Sequence, residues 1–301
     1  VNLMRGPINT PIKITIRRKG LRKAKIFTLV REVIEIKSVV AKIIDKEIGY
    51  LRLRAFNENS SNQLKKEISK IEKTILSEFD DILLQTNIDK KLMSDLVSKE
   101  LSTKVTVVPN GVSSEFYQVS PKPKKQILFL AELSKEYSQI AYWLLTKVWP
   151  EVAKADKDCR LVIVGKGASN NLKSLINSDS KIDHIEFVDD LASVYAESMI
   201  ALSPVFKGFG LINKTIEAMA SYVPVVGGLA AFNGVDGFKN GHHGIACMTR
   251  SSDEFIRAIV DLLRDSNKRN KIAENARKLV QQEFQWDNSV KKILNVIEKG
   301  K

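Results

Sequence analysis

From Gln126 to Phe284 the chain repeats one pattern: a short apolar run, a polar or glycine-containing turn, then a helical segment. The runs are QILFLAEL (126–133), CRLVIVGKG (159–167), HIEFVDDL (184–191), MIALSPV (199–205), VPVVGG (223–228) and GIACMT (244–249). Helical segments are expected over 139–154, 171–177 and 192–197, around Glu217, over 253–265 and 269–284, and from Trp286 onward. Runs that are apolar at nearly every position, rather than every second one, suit strands buried on both faces, and such strands pair in parallel. The alternation predicts an α/β domain with helices on both sides of a parallel sheet. Ligands of such sheets bind outside the carboxyl ends of the strands. The loops at 131–137, 165–169, 188–191 and 205–214 would therefore share one functional edge.

Upstream the pattern is less regular. QVSPKPKK (118–125) is a polar Pro/Lys linker and marks a domain boundary at 118/119. Before it, DDILLQT (80–86) and VTVVPNGV (105–112) read as strands, with a helix over 89–101. Leu64, Ile68, Ile71, Ile75 and Phe79 form one stripe of an amphipathic helix over 64–79. PIKITIRR (11–18) alternates like a strand and Gly20 ends it, while the spacing of Val30, Val33, Ile34 and Val40 predicts a helix over 23–48.

The net charge of +13 is concentrated at the front, where the first 31 residues hold nine Lys/Arg and no acid. Two readings stand: a solvated end, or contact of Arg17, Arg18, Lys19, Arg22, Lys23 and Lys25 with an anionic membrane surface. Nucleic acid is not expected, because this arm has a single aromatic residue, Phe27, and no recognisable binding module. No run of about 18 apolar residues suggests a transmembrane helix, and residues 1–31 lack the apolar core of a secretory signal. Cys159 and Cys247 are far apart in sequence and read as free buried thiols in a reducing compartment, so a cytoplasmic location is expected.

Chemistry concentrates in KGFGLINKTIEAMASYVPVV (207–226). Gly208 and Gly210 precede a helix, and a glycine turn entering a helix N-terminus offers backbone N–H groups to an anion. Lys214 either places a charge on a diphosphate or is a surface lysine. Glu217, flanked by Ile216, Ala218 and Met219, needs a partner, either a ligand such as the hydroxyls of a ribose or a cap. The GKG at 165–167 serves equally as a turn or a phosphate contact. No metal site emerges: His184, His242 and His243 have no acid or cysteine cluster beside them, and Asp189–Asp190 reads as a turn cap rather than a metal pair.

VVPNGVSSEF, LVIVGKG, FVDDLASVYAESMIALSP, GFGLINKTIEAMASYVPVV, NGHHGIA and FQWDNSVKKIL occur in an order that resembles family 4 of the nucleotide-sugar glycosyltransferases. The likeness runs over about 64–301 and is closest to bacterial members of exopolysaccharide and cell-surface glycan assembly. It implies a two-domain GT-B fold, with the donor on a C-terminal Rossmann-like domain and sugar transfer with retention and without a metal. By the same resemblance Glu217 holds the donor ribose, and the backbone of Gly208, Phe209 and Gly210 meets the sugar and diphosphate. Residues 1–118 would be a partial acceptor-side α/β domain with its basic arm, 119–285 the donor domain, and 286–301 a helix crossing back to the first domain.

Three departures stand out. Phe209 is where many members have a second glutamate, Lys207 precedes the glycine pair, and Ala131, Glu132 and Lys135 replace a Gly-Arg…Lys motif. Lys135 and Lys214 are thus left as the diphosphate contacts. The first domain is shorter than the family implies, and the chain begins with Val, so a truncated or reduced domain is expected. The resulting expectation is a glycosyltransferase using a nucleotide-sugar donor, a glycan or lipid-linked acceptor and no cofactor, at the inner membrane face. The alternatives are a non-catalytic sugar-nucleotide-binding or assembly subunit and, more weakly supported, a sugar-nucleotide epimerase on the same fold.

Overall fold

The structure, a computed structural model, describes Pro7 and residues 9–17, 24–31, 39–44, 48–53, 79–95, 102–208 and 210–299. The chain forms two compact units, residues 1–55 and 56–301.

The first unit contains two antiparallel hairpins. One pairs β1 (Pro11–Ile16) with β2 (Lys25–Val30), and the other pairs β3 (Val39–Ile44) with β4 (Ile48–Leu53). The strand over 11–18 is present, but the helix expected over 23–48 is replaced by β2 and β3. These strands are rich in β-branched residues (Ile26, Thr28, Val30; Val39, Val40, Ile43, Ile44), which lose side-chain freedom in a helix and fit a pleated surface. Among the expected elements, the 64–79 helix lies outside the described residues apart from its last residue, the buried Phe79.

The second unit begins with a parallel pair, β5 (Ile82–Leu84) and β6 (Val105–Val107), joined through α1 (Asn87–Ser94). A short helix α2 (Ser114–Tyr117) leads to the main sheet. Its strands are β7 (Gln126–Leu130), β8 (Arg160–Val164), β9 (Ile182–Ile185), β10 (Ile200–Ser203), β11 (Val225–Gly228) and β12 (Ile245–Cys247). Every pairing is parallel, and the order across the sheet is β12-β11-β10-β7-β8-β9. The chain builds outward from β7 through β8 to β9, then returns to β10 and builds the other way. β7 and β10 are neighbours at the topological switch point, where the crossovers leave to opposite sides.

Successive strand residues feed two cores. Ile127, Phe129, Leu161, Ile163, Ile200, Leu202 and Val226 point to one face, and Leu128, Val162, Val164, Ala201, Val225 and Ala246 to the other. This explains why the runs are apolar throughout. On the first face lie α3 (Lys135–Trp143), α4 (Trp149–Ala155), α5 (Asn170–Asn177) and α8 (Ser252–Arg264), and the second is covered by α6 (Leu191–Ala196), α7 (Asn213–Ala220) and α9 (Ser266–Glu283). A π-helical turn, Leu144–Val148, joins α3 to α4 just ahead of Pro150, whose missing N–H cannot continue the regular ladder. Thr86, Ser169, Asp190, Ser251 and Asp265 cap helices with their side chains, Asp190 accepting from the Ser193 N–H at 3.0 Å.

The last helix, α10 (Trp286–Lys299), starts against the turn after β6. The Val112 N–H donates to the Phe284 carbonyl at 2.8 Å, and Ser289 Oγ donates to the Pro109 carbonyl at 2.7 Å. Gly111 has no side chain for a packing reason: a Cβ there would lie 2.4 Å from the Trp286 nitrogen.

Candidate functional site

At the carboxyl ends of β7 and β10 the sheet opens into a narrow cavity of about 20 Å³, lined by Leu130, Tyr137, Tyr195, Ser203, Ile212 and Lys214 among others. The loop from β10 to α7 forms one wall. Gly208 and Gly210 have φ of 126° and 89°, in the left-handed region that glycine enters freely. A Cβ at Gly208 would meet nothing within 4 Å, so this stretch of backbone faces open space. α7 begins at Asn213 with Ile212 as its N-cap, which has no side chain able to accept a hydrogen bond. The first N–H groups of the helix are thus left without a side-chain cap, at the positive end of its dipole. The turn is anchored from beneath by the buried Ser203 and Thr215, whose hydroxyls lie 3.0 Å apart.

Lys214 and Glu217 stand one turn apart on α7. The Lys214 ammonium lies 5.2 Å from the centre of the Tyr137 ring, a cation–π contact with the helix that follows β7. Burial lowers the Lys214 pKa below the usual lysine value, opposed by the charges of Glu217 and Glu132. Burial raises the Glu217 carboxyl above the usual glutamate value, opposed by the Lys214 charge and the Tyr195 hydroxyl. Tyr195 is itself fully buried, and its hydroxyl donates to the Lys214 carbonyl at 3.2 Å. Burial, and then the facing Glu217 carboxylate, pushes the Tyr195 hydroxyl well above its ordinary pKa. Two oppositely charged groups are therefore held partly out of water at one sheet edge, each favouring its neutral form more than in solvent.

The Rossmann-type order brings the predicted Gly208, Gly210, Lys214 and Glu217 onto one loop–helix unit at the switch point. Phe209 lies outside the described residues. Lys135 is the first residue of α3, on the loop leaving β7, but its side chain is also outside them. Gly165 is a structural turn residue: its φ is 147°, and a Cβ would stand 1.7 Å from the Ala131 carbonyl oxygen. Gly228 similarly lets the β11 backbone approach Val205, where a Cβ would stand 2.3 Å from the carbonyl oxygen. Among the described residues, no group of three His, Cys, Asp or Glu side chains is placed to hold a metal.

Several contacts had no signal in sequence. Tyr195 in SVYAES reads only as an apolar helix position, yet it packs beneath Glu217. The carboxyl ends of β5 and β6 reach the same region. The Asn110 amide donates to Asn213 Oδ1 at 3.3 Å, the Gln85 amide donates to Asn110 Oδ1 at 3.0 Å, and the Asn87 amide donates to Asp236 Oδ2 at 2.5 Å.

Residues 124–265 match the family described as glycosyl transferases group 1. An uncharacterized glycosyltransferase of Methanocaldococcus jannaschii is 30% identical over 149 residues, 46% of this chain and 36% of that protein. A second stretch of similarity, 75 residues at 40% identity, is to a carboxy-terminal-processing protease of Bartonella bacilliformis and covers 25% of this chain and 17% of the protease. Among solved structures, Anabaena HepE in complex with UDP and glucose superposes with a TM-score of 0.65 at 16% identity, over 79% of this chain and 67% of that one. This chain thus spans well under half of the two curated relatives. The fold is α/β of the GT-B type, with a Rossmann-like parallel sheet, and the matched segment is similar to glycosyltransferase domains.

Proposed function

We propose that the chain is a glycosyltransferase that binds a nucleotide-sugar donor at the β7/β10 switch point and transfers the sugar to a glycan or lipid-linked acceptor, with retention and without a metal. The observation that carries this is the N-terminus of α7. Uncapped N–H groups, the open backbone at Gly208 and the desolvated Lys214 converge where a diphosphate would lie, with Glu217 one turn further on for the ribose hydroxyls. Withdrawing Lys214 from water strengthens its pull on the charge that develops on a departing diphosphate, which is how it would aid bond cleavage. HepE was solved with UDP and glucose, which places UDP-hexoses first among donors to test.

A second reading, donor binding without turnover, is favoured by two departures in sequence: Phe209 stands where many members of the resembling family have a second glutamate, and Ala131–Glu132 replaces the usual Gly-Arg pair. Calorimetric titration with UDP-, GDP-, ADP- and dTDP-sugars, for wild type and Glu217→Ala, tests the donor site. One nucleotide should bind, and the substitution should weaken it at least tenfold. Equal affinity in both proteins would remove Glu217 from the site. Product analysis with the same donors separates transfer from binding alone.

Work at the inner face of the membrane is part of the proposal, through the basic residues Arg17, Arg18, Lys19, Arg22, Lys23 and Lys25. Among the described residues no helix is long and apolar enough to cross a membrane. Neutral and anionic liposomes should therefore differ in the protein they sediment, and equal amounts would end the membrane reading.

A further inference from the structure

We infer that residues 1–55 are a module of separate descent from the glycosyltransferase-like unit, akin to a piece of the carboxy-terminal-processing protease, and contribute nothing to nucleotide-sugar binding. Two similarities have to be placed along one chain. The glycosyltransferase likeness includes 124–265, and its structural counterpart covers 79% of the chain. That leaves about a fifth uncovered, close to the share of the first unit. A stretch of sequence descends from one ancestor, so the 75 residues similar to the protease belong chiefly to the part that the glycosyltransferases leave.

The architecture separates at the same place. A GT-B acceptor half, as the resemblance in 64–301 implies, is an α/β unit whose parallel strands are buried on both faces. The first unit contains antiparallel hairpins, and every residue of β2 is exposed. The register places Ile12, Ile14, Ile16, Phe27 and Leu29 on one face of the β1–β2 hairpin, yet Ile16, Phe27 and Leu29 are 41%, 44% and 50% exposed. Ile26 and Val30 on the other face are exposed as well. Among the described residues the parallel βα pattern begins at β5, in the second unit, and continues to β12. The charge divides in the same way, with nine cations and no acid before Glu32 in a protein whose net charge is +13. Any anionic surface bound through this arm is then a property of the first module and carries no information about the acceptor. This inference rests on the donor-site proposal only for its nucleotide readout.

Hydrogen exchange on the full chain, with and without UDP, tests it in wild type and in Phe27→Pro. Proline removes a donor from the short β1–β2 ladder, which among the described residues has no neighbouring strand to compensate. The expected result is loss of protection confined to the first unit, unchanged exchange in β7 to β12, and UDP affinity within twofold of wild type. Ile14→Asp, milder and in the same pair, should give the same separation if the proline variant does not fold. A tenfold loss of UDP affinity, or faster exchange in β10 and α7, would overturn the inference. Failure of the donor reading looks different: UDP would then protect nothing in wild type, while exchange in β7 to β12 of the variants still decides whether the units are independent.

Discussion

Three glycines near the candidate site should respond to alanine in three different ways. At Gly165 the added Cβ would lie 1.7 Å from the Ala131 oxygen, where an unstrained contact needs about 3.5 Å, so the two backbones must separate by about 2 Å. That retreat breaks the Ala131 N–H bond to the Val164 carbonyl (3.0 Å) and loosens the Leu133 N–H bond to the Lys166 carbonyl (2.8 Å). At about 1 kcal/mol for each bond and about 1–2 kcal/mol for the positive φ, Gly165→Ala should cost about 3–4 kcal/mol. In a domain of this size that lowers the melting temperature by roughly 6–16 °C. Gly167 has φ of 92°, and its Cβ would make only a 3.4 Å contact with Ser134, so its alanine variant should lose about 1–2 kcal/mol from backbone strain alone. Gly208 carries the same kind of strain with nothing within 4 Å, so its stability cost should match that of Gly167. Only Gly208→Ala should weaken nucleotide binding beyond its effect on stability, because its backbone faces the space where the donor is placed. Thermal unfolding and calorimetric titration of the three variants read both quantities. A Gly165→Ala protein that melts within about 2 °C of wild type would refute the packing argument, and unchanged nucleotide affinity in Gly208→Ala would refute the placement of the donor.

Tyr137→Ala removes the aromatic face beneath Lys214, worth about 0.5–2 kcal/mol, so nucleotide affinity should fall about two- to thirtyfold, whereas Tyr137→Phe keeps the ring and should stay within twofold. The folded-state pKa of Glu217 is raised above the 4.5 of an ordinary glutamate, so its contribution to stability is present below about pH 4.5 and is lost as pH rises through the raised value. Glu217→Gln should therefore melt higher than wild type at pH 8, with the gap closing toward pH 4, while it weakens nucleotide binding; a gap independent of pH would contradict the assignment. Cys159 and Cys247 are buried thiols pushed up to about 12, so neither should react with a thiol-specific disulfide reagent at pH 8 until the protein unfolds.

The α/β character of residues 126–284 was legible because strands such as LVIV (161–164) must present side chains to two cores, and that demand leaves a continuous apolar run. The loop–helix unit of Gly208, Gly210, Lys214 and Glu217 was legible for a related reason, since all four lie within one short segment. Partners brought in by topology were not. Tyr137 and Tyr195 reach Lys214 because β7 and β10 are neighbours, and strand order leaves no local trace in sequence. Gly228 was expected in a strand, but nothing in VPVVGG shows that the Val205 backbone lies against it. Around Lys25–Val30, helical spacing of apolar residues outweighed the β-branched content that decides the structure.

The contact between the turn at 109–112 and the start of α10 sets an order of assembly. Ser289 and Pro109 are 180 residues apart in sequence, and Gly111 is matched to the backbone and ring of Trp286. A chain emerging from the ribosome exposes the β5–β6 pair long before its clasp exists, since 180 residues separate the two partners. The main sheet can close by connections to near neighbours, whereas this long loop closes last and slowly. Until it does, Asn110 has no fixed position beside the first residue of α7. The edge where a nucleotide is proposed to bind would then be completed only after residues 286–289 have been made, which gives the nascent chain a late, non-local step in reaching a binding-competent form.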